Sequence, residues 1–218
     1  MLVSFEKSFL FIHVPKTGGT SMRAVLQRHA HKPQARPANQ WLERFGISVN
    51  HLLGNYKDYR FRTHERIDVV AKRMPNDVFD RLFKFGFVRN PWDLLPSLYR
   101  FILKNKAHKR HGIVSKMRFG EFIEYAAAKN IADQKRLIAA SNGEHLLDFV
   151  GRFERLAEDY QFVSQQIGLK LSLPHLNRTE GKSLSEYYDA QSIRTVQKAY
   201  RGDLDAFDYP PRPDIAAA

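Results

Sequence analysis

A chain of 218 residues, 43% of them hydrophobic, can bury one sizeable core, and the absence of cysteine excludes disulfides, thiolate metal sites and cysteine nucleophiles. An excess of 35 Lys and Arg over 23 Asp and Glu gives a formal charge of +12, a field that attracts anions. It does not choose among nucleic acid, acidic lipid, acidic glycan and nucleotide.

The run Phe9-Leu-Phe-Ile-His-Val14, closed by Pro15, has the form of a strand buried on both faces of a parallel sheet. After the tight loop Lys16-Thr-Gly-Gly-Thr20, Met22, Val25, Leu26 and His29 recur at helical spacing, with Thr20 or Ser21 as the expected N-cap. Two prolines between His31 and Asn39, and no clean period from Trp41 to Arg62, predict a long surface excursion with a short strand near Ile47. A helix is expected from about Glu65 to Met74, then a second apolar strand from Leu82 to Val88 ending at Arg89-Asn-Pro91. Asn90 can cap the next helix and Pro91 suits its first position, with Leu95, Leu98, Tyr99 and Ile102 on one face. Further helices are expected at Phe119–Lys129 and Ile131–Ala140, a strand at Asp148–Phe153, and helices at Arg155–Ile167 and Ser185–Arg201. This alternation predicts an α/β fold with a central, mainly parallel sheet flanked by helices, whose ligand sites gather at the carboxyl ends of the strands. A single domain over 1–208 is expected, with a loose tail over 209–218.

Two constellations carry chemistry. In Pro15-Lys16-Thr17-Gly18-Gly19-Thr20-Ser21, glycines let backbone N–H groups turn toward one anion at a helix N-terminus. The order differs from a Walker A loop, since Lys16 precedes both glycines, which argues against a kinase or NTPase. In Phe87-Val88-Arg89-Asn90-Pro91-Trp92, Arg89 at a strand end can grip a phosphate, and Ser97, two turns on, can reach the same group.

The pair FIHVPKTGGTS and FVRNPWDLLPSLY resembles the signature segments of PAPS-dependent sulfotransferases, in particular the Golgi carbohydrate sulfotransferases and their soluble bacterial relatives. VGRFERLAEDY and LPHLNRTEGKS extend the resemblance over most of the chain. It implies a P-loop-like three-layer fold and transfer of a sulfuryl group from PAPS (3′-phosphoadenosine 5′-phosphosulfate) to a hydroxyl, leaving PAP (adenosine 3′,5′-bisphosphate). Lys16, Thr17, Gly18, Gly19, Thr20 and Ser21 would bind the 5′-phosphosulfate, with Lys16 also catalytic. Arg89 and Ser97 would hold the 3′-phosphate, and Arg178, Thr179 and Lys182 would close over it. A lysine at the bridging oxygen can stabilise the departing phosphate, so no metal is expected.

The family's general base falls between the two donor segments, which points to His64, with His51 as second candidate and Glu65 as a carboxylate fallback. His13, inside a strand, is expected to pack. Gln134 falls where relatives have a glutamine near the acceptor, although a surface helix glutamine is the commoner case. Leu94 stands where relatives show an arginine, and Pro96 interrupts the helix just before Ser97.

The implied partners are the donor nucleotide and a hydroxyl acceptor, a carbohydrate or glycolipid, and not nucleic acid; neither acceptor nor oligomeric state is readable. A basic, non-enzymatic nucleic-acid or polyanion-binding protein is the competing reading. No run approaches the roughly 20 apolar residues that cross a bilayer. Met1 to Lys16 lacks the pattern of a signal peptide, so a cytoplasmic location is expected.

Overall fold

Successive side chains of a strand point to opposite faces, so an unbroken apolar run calls for a layer on each side. The computed structural model describes residues 1–33, 56–140, 143, 145–169 and 183–213 and has that arrangement. The strands are β1 (Leu2–Ser4), β2 (Phe9–Ile12), β3 (Phe83–Val88) and β4 (Phe149–Arg152), ordered β1-β2-β3-β4. β2, β3 and β4 are parallel, in a register that sets Ile12 opposite Gly86 and Val88 opposite Arg152. β1 adds antiparallel to β2; three residues are too few to show a period, and sequence analysis misses it.

The helices are α1 (Gly19–Leu26), α2 (Ile67–Ala71), α3 (Asn76–Asp80), α4 (Pro91–Lys104), α5 (His111–Val114), α6 (Phe119–Ala128), α7 (Lys135–Ile138), α8 (Leu156–Gln166), α9 (Ala190–Ala199) and α10 (Arg201–Ala206). Phe9, Phe11, Phe85 and Phe87 line one face of the sheet, covered by Met22, Val25 and Leu26 of α1 and by Tyr160 and Val163 of α8. Leu10, Ile12 and Val88 face the other side, against side chains of α2, α4, α6 and α9. Each such burial contributes about 1.5–3 kcal/mol, and together they fix the three layers.

Several boundaries differ from expectation. α1 begins at Gly19, with Gly18 at its N-cap in the left-handed region (φ 81°), so neither Thr20 nor Ser21 caps it. The helix expected over Glu65–Met74 is only Ile67–Ala71, and α3 follows Pro75. Of Ile131–Ala140 only Lys135–Ile138 is helical, because Asn130 and Ala132 turn through positive φ (48° and 67°). The helix expected from Ser185 starts at Ala190, where the Asp189 carboxylate accepts from the Ser192 amide. The expected strand near Ile47 lies outside the described residues.

Asn90 and Pro91 start α4 as expected, the Asn90 side chain accepting from the Trp92 amide at 3.1 Å. The helix continues past Pro96, which has no N–H to give the Trp92 carbonyl four residues back. That carbonyl instead accepts from the buried Tyr188 hydroxyl at 2.9 Å. The Trp92 indole N–H in turn donates to the Pro210 carbonyl at 2.9 Å, and Gln197 donates to the Pro211 carbonyl at 3.0 Å. Tyr209 is buried as well, so residues 209–211 form a strap and not the start of a loose tail.

Tyr188→Phe should leave the Trp92 carbonyl buried and unpaired, costing about 1–3 kcal/mol. At roughly 2–4 °C per kcal/mol for a chain of this size, thermal melting resolves that loss. In a Pro96→Ala background a backbone amide is restored, and the same Tyr188→Phe change should cost much less. Equal costs in the two backgrounds would contradict the substitution of hydroxyl for amide.

Candidate active site

The parallel register brings the carboxyl ends of β2, β3 and β4 together, and with them residues 13–18, Arg89-Asn90 and Phe153-Glu154. Lys16 (φ 65°) and Gly18 both adopt left-handed backbone. For lysine that conformation costs on the order of 1 kcal/mol and persists only where surrounding structure imposes it. The Thr17 hydroxyl donates to the Val14 carbonyl at 2.9 Å, so this side chain ties the loop back on itself and does not point to a ligand. Among the described residues no carbonyl accepts from the backbone amides of residues 17–20. Thr20 is exposed and Ser21 buried. Gly19 is required for a steric reason: a Cβ there would lie 1.9 Å from Nε2 of His13.

Lys16 lays its ammonium over the Phe101 ring, 4.5 Å from the centroid. Burial first, and then the positive charges of Arg89 and Arg100, hold this ammonium below the ordinary lysine range. Arg89 sits with its guanidinium 4.2 Å from the centre of the Phe153 ring, and its Nη1 donates to the Lys16 carbonyl at 3.4 Å. Among the described residues its buried Nε has no partner. Burial lowers the Arg89 pKa despite the opposing influence of Asp93 and Glu154. Asp93 itself is pushed above the usual carboxylate range, by burial more than by Glu154, with Arg89 pulling it down. Asp93, Ser97 and Arg100 fall at steps of four and three residues, along one stripe of α4. Ser97 is therefore buried on the stripe whose neighbours above and below interact with Arg89.

His64 donates its Nδ1–H to the His13 carbonyl at 2.7 Å, since a carbonyl can only accept. In the neutral ring Nε2 then carries the lone pair. The two imidazoles touch, with centroids 4.5 Å apart. Although His64 as a residue is exposed, partial burial of its ring lowers its pKa. The bond to the His13 carbonyl opposes that shift, and the charge of Arg23 adds to it. His13 packs as expected and is held neutral, its pKa lowered to about 3 chiefly by burial.

Gln134 is neither a surface residue nor free to meet an acceptor. It is wholly buried (0% exposed), and its amide is engaged by the Arg89 backbone. His51, Arg178, Thr179 and Lys182 lie outside the described residues. Sequence analysis missed Arg100, Phe101 and Phe153, which have no motif of their own; the helical spacing of Arg100 from Asp93 and Ser97 was the available signal. It also missed Glu154, which accepts from the Asn90 amide at 2.7 Å and from the Tyr209 hydroxyl at 3.0 Å. A cleft of about 280 Å³ lined by Lys135, Arg136, Tyr200 and Asp203 includes none of Lys16, His64 and Arg89, and the strand-end cations decide the site on chemical grounds. Among the described residues no three His, Asp or Glu side chains cluster to hold a metal ion, and no helix is long and apolar enough to cross a membrane.

Compared with known proteins, residues 1–210 match a family model described as the Sulfotransferase family. No curated protein matches.

The His64 geometry predicts its tautomer. Two-bond ¹H–¹⁵N correlation spectra above neutral pH should show the Nδ1–H form for His64, titrating below the ordinary imidazole value of about 6.5. An Nε2–H form would contradict the bond to the His13 carbonyl.

Proposed function

The chain belongs to the sulfotransferase family and is a PAPS-dependent sulfotransferase, and from that premise we propose that it sulfates a hydroxyl of a carbohydrate or glycolipid, with His64 as general base. One observation carries the reading. Half-buried cations from two strand ends and one helix come together beside a loop whose amides meet no carbonyl of the described residues, next to a histidine whose Nδ1 proton is pinned. Enzyme membership of the family displaces the non-enzymatic polyanion-binding alternative.

The donor fits these residues because they present what an anion needs. The open amides of residues 17–20 and the Lys16 ammonium would take the 5′-phosphosulfate, with the Thr20 and Ser21 hydroxyls at the helix start. Arg89, with an unpartnered Nε and a guanidinium braced by Phe153, would take the 3′-phosphate together with Ser97. Arg178, Thr179 and Lys182 are assigned to the same phosphate by resemblance alone. PAPS supplies a sulfuryl group already bonded to a phosphate leaving group. Lys16, in a poorly solvating setting against Phe101, would stabilise the negative charge that grows on the departing phosphate oxygen, and it can do so without a metal. Leu94, where relatives carry an arginine, is buried, and Arg100 on the same helix acts on Lys16 with a positive charge.

The acceptor oxygen forms the new bond to sulfur, and its proton goes to Nε2 of His64. As the ring becomes an imidazolium, its Nδ1–H remains bonded to the His13 carbonyl, which favours the charged form. His13 stays neutral and contributes through its backbone. His51 remains the second choice for the base.

PAP should raise the melting temperature of the protein, with about 2.7 kcal/mol of added stability at a concentration of 100 Kd. A melt shifted by ATP and short DNA but not by PAP would remove the donor assignment.

His64→Ala should lower turnover on any accepted hydroxyl by about a hundred-fold or more while PAP affinity stays near normal. The parent rate should fall as pH drops through the His64 pKa, which lies below the usual 6.5, because only the neutral ring accepts a proton. A His64→Ala enzyme with near-normal turnover would move the base to His51 or Glu65.

A further inference from the structure

β3 ends at Val88, where its ladder with β4 stops, and the next residue is Arg89. A buried peptide just past a strand needs partners for both its N–H and its C=O. At Arg89 one side chain supplies both: the Arg89 N–H donates to Gln134 Oε1 at 2.8 Å, and Gln134 Nε2 donates to the Arg89 carbonyl at 2.8 Å. A primary amide offers a donor and an acceptor side by side whatever the pH, and asparagine would be a methylene too short to keep the same reach.

Gln134 is itself anchored. Its backbone N–H donates to Asp203 Oδ2 at 2.9 Å, and the Lys135 N–H donates to Oδ1 at 2.8 Å. Asp203 is 2% exposed and belongs to α10, so the clamp on Arg89 is tied to the far end of the fold. The Arg89 guanidinium, by contrast, meets among the described residues a ring face and one 3.4 Å bond, with Nε unpartnered and the charges of Asp93 and Glu154 acting on it. Its aim therefore depends on the backbone from which it springs.

We propose that Gln134 is a positioning residue for the donor nucleotide: it fixes the Arg89 peptide so that the guanidinium meets the phosphate, and it makes no contact with the acceptor. The inference rests on the donor role proposed for Arg89.

Calorimetric titration of PAP against wild type, Arg89→Ala, Gln134→Leu and the double variant tests it. Gln134→Leu should weaken PAP binding on the order of ten- to a hundred-fold, the scale of loss when a remote change misplaces a binding group. In the Arg89→Ala background the same change should alter affinity less than about two-fold, because the two act as one unit. Where Gln134→Leu fails to fold by circular dichroism, Gln134→Glu, which keeps the size and the acceptor for the Arg89 N–H, is read in the same cycle. A folded Gln134 variant with wild-type affinity for PAP, or a loss that adds in full to that of Arg89→Ala, overturns the proposal. Wild type without PAP affinity, or Arg89→Ala with unchanged affinity, overturns instead the donor reading beneath it.

Discussion

Lys16, Arg89 and Arg100 stand within interacting range of one another in a crevice that solvates charge poorly, and like charges repel more strongly there than at a surface. The surroundings moderate this. Phe101 and Phe153 offer ring faces to two of the cations, and the Lys16 carbonyl turns toward Arg89. Asp93 and Glu154 draw on Arg89, yet Glu154 is engaged with the Asn90 amide and the Tyr209 hydroxyl. In the proposed donor role of these residues, a polyanionic nucleotide would relieve that repulsion.

That constraint also explains which parts of the chain were legible. β2, β3 and the start of α4 follow from local chemistry: apolar runs, a capping asparagine and a proline at the first helical position. The Lys16 and Arg89 segments could be placed because strand ends in a parallel sheet are where loops meet. Misreadings arose where tertiary contacts outweighed local preference. Residues 131–134 look helical in composition, but the chain turns at Asn130 and Ala132 so that the Gln134 and Lys135 amides reach Asp203, 69 and 68 residues away. Pro96 takes one N–H out of α4, and the carbonyl it leaves is served by Tyr188, 96 residues distant from Trp92.

The two histidines show how a side chain and a backbone can divide one task. His13 reads as a packing residue, and its ring does pack, close enough to Gly19 to exclude any side chain there. Its carbonyl, however, sets the proton on His64, and nothing in the residue's identity announces that role. The same holds for Gln134, whose amide was legible as polar but whose partner is a peptide group that every residue carries.

The strap formed by residues 209–211 ties the site to the chain's order of synthesis. Pro210 closes on Trp92 across 118 residues, and Tyr209 reaches Glu154, which holds the Asn90 amide next to Arg89. Contacts of such separation form late, after the loops between them have closed. A chain cut short of residue 209 would carry the Lys16 and Arg89 segments without the partners that Trp92 and Glu154 find in the strap.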